Sequence, residues 1–411
     1  NTFMGIFTVL GVALLVGRIF DGFADPIIAS LSDNNRSPVG RRKLFLLIGC
    51  LPLSISTFLV FYPPLLEEVS FINGLWLGLL MAIFYLSFTT YVNPYLALLP
   101  ELGHTNNLRI NLSTMIAFFG LLGMILVAVL LPQLTSYIQG FGIELRTAYR
   151  YGIALFSFIS ALLLFGATLG FNEKIHCRPT EQSRLSTWES LKHTYSVKPF
   201  RIFLGGELFL QFAMNTVTLG LIYYAIVLFQ REERFMTVLA ALTIGGALLF
   251  FPLVNILAKK VGKKRVITTG VMCLSITGMG IFLLSFNMTG VFFYLAITMF
   301  IAAGFTLAVL TILINPTIAD LARADFYKTG ERREAMFFGA RAIPLKLTIA
   351  MAGLVFVYLL STFGKDVAQS LGVQLSALVV ALSAAASFVF FSLYPEKEVI
   401  DALQDENQGN H

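Results

Sequence analysis

Residues 17–49 read GRIFDGFADPIIASLSDNNRSPVGRRKLFLLIG and carry the strongest indication of the fold class of this chain. Three charged residues, Arg18, Asp21 and Asp25, interrupt an apolar run there. A basic turn that contains Gly40 separates this run from a second apolar run. Apolar runs that alternate with short basic turns are typical of helices that cross a membrane several times.

The rest of the 411-residue chain has the same character, with 57% hydrophobic and 13% charged residues and a mean hydropathy of +0.79. A soluble protein carries about a quarter charged residues. Apolar segments of about 20 residues, enough to cross a bilayer, recur along the chain and must be helical, because backbone polar groups in hydrocarbon need partners within their own segment. The sequence therefore predicts an all-α integral membrane protein with eleven spans, at 3–31, 44–63, 71–99, 111–134, 149–171, 201–229, 235–258, 265–287, 289–319, 335–362 and 369–393.

The lysines and arginines of this chain, which has a net charge of +6, concentrate on one side of the spans. They gather in the loops at 32–43, 173–200, 259–265 and 319–334, whereas the alternate loops hold few. By the positive-inside rule these loops and the C-terminal tail are cytoplasmic, and we expect the plasma (inner) membrane as the location. The same distribution argues against nucleic acid as a partner.

Two pairs of loops repeat between the halves of the chain. The loop at 32–43 and the loop at 259–265 are basic turns with one glycine, and the loops at 100–109 and 319–334 match in kind. This repeat predicts two pseudo-symmetric helix bundles. Matching the halves leaves the first one helix short, so we expect a first helix to be missing from this sequence. The predicted domains are an N-terminal bundle at 1–172, a cytoplasmic linker at 173–200, a C-terminal bundle at 201–395 and a tail at 396–411.

The sequence offers no pattern that favours an enzyme or a cofactor. Cys50, Cys177 and Cys273 lack metal-ligand spacing and predict no disulfide framework. The four histidines fall in loops or the tail, without a nucleophile–histidine–acid set or a phosphate-binding glycine loop. We therefore expect no catalytic residues, no cofactor and no resident metal beyond a coupling ion.

The three charges of the first span have a helical spacing. Arg18, Asp21 and Asp25 lie at i, i+3 and i+7 and therefore share one face. Each ionisable group costs about 2.5–3.5 kcal/mol in a membrane helix, so it persists where it is paired or faces water. Two carboxylates one turn apart can share a proton or bind a hard cation such as Na⁺. The alternative is an Arg–Asp bridge that locks the bundle.

Other polar residues within the spans are candidates for substrate binding or coupling. Arg341 and Lys346 lie in the span at 335–362, where the alternative is that their charges snorkel to an interface. For the neutral groups, the alternative is hydrogen bonding between helices. The candidates are Arg18, Tyr91, Asn93, Gln211, Asn215, Arg341 and Lys346.

The motif R-x-x-D-x-x-x-D-P at residues 18–26 resembles the melibiose-permease-like glycoside–pentoside–hexuronide:cation symporter family of the major facilitator superfamily. The likeness continues in chain order through nearly the whole sequence. Its further matches are Ser32-Asp33, Gly40-Arg41-Arg42, Pro94-Tyr95, Leu99-Pro100-Glu101, Arg109, Ala319-Asp320, Arg332, Glu334 and Lys346.

This resemblance implies the twelve-helix major facilitator fold, with the span at 3–31 as its second helix. It carries Asp21 and Asp25 onto the cation-binding acidic positions of the family, and Lys346 onto a lysine that faces the central cavity. The sequence departs from the family at Val92, where a carboxylate is expected, and at Ala117, where the melibiose permease has an arginine. The coupling ion is therefore left open between Na⁺ and H⁺.

The loop that contains Asp33, Gly40, Arg41 and Arg42 is similar to the cytoplasmic gating motif of the superfamily. A carboxylate and guanidinium groups at helix ends can hold neighbouring helices through charge–dipole contacts. The second copy, at 259–263, has lost the acid, and a role as a determinant of topology explains it equally well.

The expected function is secondary active transport, by cation-coupled symport of a glycoside or related small polar organic solute. The expected partners are this solute and the lipid bilayer, and the expected state is a monomer. One alternative is a transporter of lysophospholipids or other amphiphiles with the same fold. A membrane enzyme or receptor is a more distant one.

Overall fold

The computed structural model describes residues 2–3, 7–8, 24–35, 37–65, 71–170, 173, 187–232, 235–287, 290–331 and 333–409. The prediction of a helix from residue 3 is wrong at the start of the chain. Thr2–Phe3 (β1) pairs with Phe7–Thr8 (β2) as two short antiparallel strands. Threonine and phenylalanine favour paired strands, and a short apolar run does not by itself distinguish strand from helix.

Helices make up most of the rest of the described chain, beginning with α1 over residues 24–34. The other helices are α2 (Lys43–Leu59), α3 (Phe71–Leu102), α4 (Asn106–Gln139), α5 (Leu145–Gly170), α6 (Thr187–Ser196), α7 (Lys198–Tyr223), α8 (Phe235–Val261), α9 (Lys263–Leu284), α10 (Val291–Thr329), α11 (Glu334–Phe363), α12 (Leu371–Leu393) and α13 (Glu396–Gly409). A π-helical turn at Tyr224–Leu228 directly follows α7.

Nine of the described helices, α3 to α5 and α7 to α12, are long and apolar enough to cross a membrane, and α2 is a shorter apolar helix. Each predicted span from 44–63 onward therefore corresponds to one helix. The predicted loops at 100–109 and 319–334 are too long, because α3 continues to Leu102, α4 begins at Asn106 and α10 continues to Thr329. A helical backbone does not end where hydropathy falls, so polar residues extend these helices.

The chain forms two compact units, and α4 and α11 contribute to both. The first unit comprises the described residues of Asn1–Leu102, Phe119–Lys192 and Gly330–Ile343, and the second those of Gly103–Phe118, His193–Thr329 and Pro344–His411. The predicted division into two bundles, a linker and a tail stays a prediction.

In the first unit, α2 packs against α3 and α5 around Leu46, Cys50, Tyr91 and Leu98. In the second unit, α8 packs against α10, and α12 packs against α7 and α9. Gly304 permits the contact of α10 with α8, since a Cβ at this position would lie 2.6 Å from the backbone oxygen of Thr243.

Candidate functional site

Asp25 lies on α1 and is 3% exposed. Two polar side chains from α3 bind it. The hydroxyl of Thr89 donates to Asp25 Oδ1 over 2.9 Å, and the amide Nδ2 of Asn93 donates to the same oxygen over 3.1 Å. Thr89 and Asn93 lie one helical turn apart and share a face of α3. The described structure therefore gives the Asp25 carboxylate two neutral donors.

The first turns of α11 approach the backbone of Asp25 closely. A Cβ placed on Gly339 would lie 3.0 Å from the backbone oxygen of Asp25 and 2.9 Å from the side chain of Ala29. Any larger residue at position 339 would push α11 away from α1. The glycine therefore keeps the neighbourhood of Asp25 tightly packed.

The oxygens of Asp25 and Thr89 are hard ligands of the kind that alkali and alkaline-earth cations prefer. Asp21 precedes Asp25 by one turn in the sequence, but Arg18 and Asp21 lie outside the described residues. Thr89 was missed in the sequence analysis. The available signal was its position four residues before Asn93, which places both on one face of a helix.

The other predicted binding residues make their own contacts within each unit. Tyr91 belongs to the core between α2, α3 and α5, and its hydroxyl contacts the backbone oxygen of Leu164 over 3.4 Å. In the second unit, Asn215 donates to the backbone oxygen of Gln211 within α7. The guanidinium of Arg341 lies over the ring of Phe338 at 5.7 Å. Lys346 lies on the part of α11 that belongs to the second unit.

Three of the predicted gating residues come together in the first unit. Asp33, at the end of α1, accepts hydrogen bonds from the backbone N–H groups of Ala335 and Met336 over 3.4 and 3.2 Å. These groups belong to the first turn of α11, where the helix dipole is positive and favours an anion. Arg42 lies 3.4 Å from the Asp33 carboxylate.

Arg42 is completely buried and contacts two further carboxylates. Its Nε donates to Glu101 Oε1 over 2.9 Å, and its terminal nitrogen lies 3.5 Å from Glu334 Oε2. Arg41 also pairs with Glu101. We call this cluster the first latch; its members are Asp33, Arg41, Arg42, Glu101 and Glu334. It joins α1, the turn before α2, the end of α3 and the start of α11.

Burial governs the electrostatics of the first latch. It raises the pKa of Asp33 to about 7, against the opposing effect of Arg42 and Arg41. Burial disfavours the charge on Arg42, but the nearby Glu101, Asp33 and Glu334 raise the pKa of Arg42 above its ordinary value. Arg42 therefore stays charged, while Asp33 changes its protonation state near neutral pH.

Gly40 shapes the turn that precedes α2. Its φ of +134° is a conformation that side-chain-bearing residues rarely adopt. The carboxylate of Glu173 accepts hydrogen bonds from the backbone N–H groups of Arg42 and Lys43 over 3.0 and 2.9 Å, and so caps the start of α2. A Cβ on Gly40 would lie 2.5 Å from Glu173 Oε2. The glycine is therefore required by both its backbone conformation and the cap.

The second unit repeats this arrangement. Gly262 has a φ of +93°, and Glu396 accepts a hydrogen bond from the backbone N–H of Lys264 over 2.9 Å at the start of α9. Lys263 pairs with Asp320, which also pairs with Arg109 at 2.6 Å. In the second unit, Glu396 therefore caps a helix as Glu173 does in the first. Asp320 pairs with a basic residue of the turn, as Glu101 does in the first unit.

The two copies differ at the position of Asp33. Asn255 precedes Gly262 by the same number of residues as Asp33 precedes Gly40. Its amide donates to Thr114 Oγ1 over 2.7 Å and to Asn111 Oδ1 over 3.3 Å, near the start of α4. At this position the second copy therefore contacts its partner helix through a neutral amide, where the first uses a carboxylate.

Comparison with known proteins agrees with this architecture. The model of the family described as MFS/sugar transport protein matches residues 6–395. A relative in Bacillus subtilis (strain 168), named as the uncharacterized symporter YnaJ, is 25% identical over 365 residues, which are 86% of this chain and 75% of that protein.

Solved structures of major facilitator transporters share the fold at low sequence identity. A bacterial homologue of the iron transporter ferroportin, in an outward-facing state, has a TM-score of 0.71 at 12% identity and covers 94% of this chain and 90% of its own. The proton:xylose symporter XylE, bound to 6-bromo-6-deoxy-D-glucose, has a TM-score of 0.67 at 14% identity, with 94% and 86% covered. FucP in the outward conformation has a TM-score of 0.65 at 12% identity, with 95% and 91% covered.

The apolar helices, the repeated basic turns and the match of the family model over most of the chain agree with one another. The shared fold is that of transporters rather than enzymes. This chain belongs to the MFS/sugar transport protein family and is a multi-pass membrane transporter of small-molecule substrates with the major facilitator fold.

Proposed function

We propose that this chain is a cation-coupled symporter of the melibiose-permease type, which carries a glycoside or related small polar organic solute by alternating access. The observation that carries the proposal is the buried carboxylate of Asp25, held by Thr89 and Asn93 on a membrane-spanning helix. Ionisable groups inside membrane proteins commonly mark ion pathways. The name of the Bacillus relative as a symporter supports coupled transport.

In this proposal Asp25, Asp21 and Thr89 bind the coupling ion, Na⁺ or H⁺. The ion neutralises the carboxylates, so that the loaded carrier can change conformation without moving an uncompensated charge. A membrane potential of 100 mV supplies about 2.3 kcal/mol per charge. This energy supports a solute gradient of about fifty-fold, since each 1.4 kcal/mol corresponds to a factor of ten.

The first latch would act as the gate in this cycle. Its contacts join helix ends through ion pairs and through the positive end of α11, and such contacts can break and re-form between two packed arrangements. In our assignment these helix ends are cytoplasmic, as are the linker at 173–200 and the tail at 396–411, and the protein functions as a monomer. The charge distribution of the loops supports this orientation.

The solute would be recognised by polar side chains of the spans. We assign this role to Arg18, Gln211, Asn215, Arg341 and Lys346, because amide, guanidinium and ammonium groups suit hydroxyl-rich or partly anionic solutes. Asn93 contacts Asp25, which supports a role in coupling instead. Tyr91 packs in the core of the first unit and would support α3 rather than contact the solute.

Uptake into proteoliposomes tests the proposal. The protein would be offered labelled glycosides under an inward gradient of Na⁺, Li⁺ or H⁺, and without a gradient. We expect accumulation that follows one of these ions and is abolished by Asp25→Asn. Asp366→Asn, at an exposed aspartate in the loop between α11 and α12, makes the same chemical change and should keep uptake. Undiminished accumulation by the Asp25 variant would contradict the proposal.

A further inference from the structure

The amide of Asn93 lies against two oxygens of one residue. Its Nδ2 is 3.1 Å from the carboxylate oxygen Oδ1 of Asp25 and 3.4 Å from the backbone oxygen of Asp25. Asn93 is 6% exposed, so water competes little for this contact. The hydroxyl of Thr89 also donates to this Oδ1, over 2.9 Å.

These oxygens are the atoms that a hard monovalent cation would use as ligands. The amide nitrogen bears the partial positive charge of a donor, and it can only donate, never accept. A cation at Asp25 and the N–H of Asn93 therefore compete for the same Oδ1. A hydrogen bond to a charged group is worth more than one between neutral groups, so this competition has a measurable effect on affinity.

The position of Asn93 in α3 allows it to yield. Pro94 follows directly and lacks the backbone N–H that would bond to the backbone oxygen of Thr90, so the helix is weakened beside Asn93. Val92, on the other side, offers no polar group that could replace the amide. Asn93 is therefore the residue of this segment that can satisfy Asp25 and then be displaced.

We propose that Asn93 sets the cation affinity of the coupling site: its amide donates to Asp25 when no cation is bound, and the entering cation displaces it. This inference rests on the proposed function. The contact of Asn93 with Asp25 lowers the affinity of the carrier for the cation below the value that the oxygens of Asp25 and Thr89 alone would give. A lower affinity favours release of the cation after each translocation.

The test is the affinity of the full-length protein for Na⁺ alone. Thermal unfolding in detergent would be followed over a series of Na⁺ concentrations at constant ionic strength and pH. A ligand that binds the folded state raises the unfolding temperature, and the rise grows with the logarithm of the ratio of ligand concentration to Kd. Asn93→Leu keeps the shape of the side chain and removes the donor. We expect it to bind Na⁺ about tenfold more tightly than the wild-type protein.

Three further variants make the test decisive. Asn93→Ala repeats the removal of the donor with a smaller side chain, should the leucine variant fail to fold, and we expect the same direction of change. Asn73→Leu, at the far end of the same helix, should leave the affinity for Na⁺ unchanged. Asp25→Asn should abolish binding.

An unchanged or weaker affinity in both folded Asn93 variants would overturn the inference, since it would mean that Asn93 is only structural or is itself a ligand. Absence of Na⁺ and Li⁺ binding by the wild-type protein would also overturn it. Proton-driven uptake in proteoliposomes would then still support the symporter, so failure of the inference and failure of the proposed function are distinguishable.

Discussion

The Asp33 carboxylate accepts a hydrogen bond from the backbone N–H of Met336 over 3.2 Å, which attaches the end of α1 to the first turn of α11. The two residues are far apart in the sequence, and the contact lies beside the buried guanidinium of Arg42. It brings a predicted gating residue of the first half to a helix that begins in the second half.

The protonation of Asp33 should make stability depend on pH. Burial raises its pKa from 3.8 to about 7, so between these values the folded protein binds more protons than the unfolded chain. Stability from this group is complete below pH 4 and is lost as the pH rises through 7. Asp33→Asn removes this loss, so the unfolding temperature of the variant relative to the wild type should rise from pH 5 to pH 8.

The measurement is thermal unfolding in detergent at a series of pH values, with Asp366→Asn as the control for a general effect of losing a carboxylate. The unfolding temperature of Asp33→Asn relative to the wild type could instead fall between pH 5 and pH 8. This result would show that Arg42 and the start of α11 stabilise the Asp33 charge more than burial destabilises it.

Removal of the Arg42 charge should destabilise the protein strongly. Arg42→Met leaves Asp33, Glu101 and Glu334 buried without their shared cation, and loss of one partner of a buried ion pair costs about 3–5 kcal/mol. Denaturant unfolding would measure the change. Adding Glu101→Gln to this variant should recover part of the loss, because one of the uncompensated charges is then gone.

The matched comparison is Arg41→Met, since Arg41 shares Glu101 but its side chain is 13% exposed. We expect a loss of about 1 kcal/mol, the contribution of one hydrogen bond, because Glu101 keeps Arg42 as its partner. If the two variants lost the same free energy of unfolding, the deeper burial of Arg42 would not increase its contribution to stability.

Replacement of Gly40 should break the cap of α2. Gly40→Ala combines an unfavourable φ of +134° with a Cβ that would lie 2.5 Å from the Glu173 carboxylate. Gly330→Ala is the control, because Gly330 has a φ of +73° and open space around the added Cβ. We expect Gly40→Ala to lose about 1–3 kcal/mol more than the control, the cost of strain and of a displaced helix cap.

Circular dichroism during thermal unfolding would measure both glycine variants under one condition. If they lost the same stability, the contact between position 40 and Glu173 would be irrelevant and only the backbone conformation would matter.

A side chain at Gly339 should disturb Asp25. Gly339→Ala places a methyl group 3.0 Å from the backbone oxygen of Asp25, whereas Gly353→Ala on the same helix meets no atom within 4 Å. In a helix interior, alanine favours folding over glycine by up to about 1 kcal/mol. We expect the variant at 353 to keep stability and uptake, and the variant at 339 to lose both.

Proteoliposome uptake and thermal unfolding, measured on the same preparations, separate the two effects. Full cation-dependent uptake in a folded Gly339→Ala protein would show that the packing of α11 on α1 is not needed for coupling.

Local hydrophobicity was sufficient to predict the membrane class and each helix from α2 to α12 that could span the bilayer. The same signal failed at residues 2–3 and 7–8, where threonine and phenylalanine pair as short strands. It also failed at the ends of α3, α4 and α10, where polar residues continue the helix. Hydropathy reports the solvent that a segment prefers, and the backbone conformation beyond the apolar run follows other forces.

The chemistry of the candidate residues was readable from the sequence, but their partners were not. Helical periodicity predicted a polar face that includes Asp25. The resemblance of the loop around Gly40 to the gating motif of the superfamily identified Asp33, Arg41 and Arg42. Several pairings depend on contacts between residues distant in the chain. Thr89 and Asn93 bind Asp25, Glu173 caps α2, and Glu101 and Glu334 share Arg42. Spacing along one helix sets which side chains share a face, whereas only the packing of helices decides what that face meets.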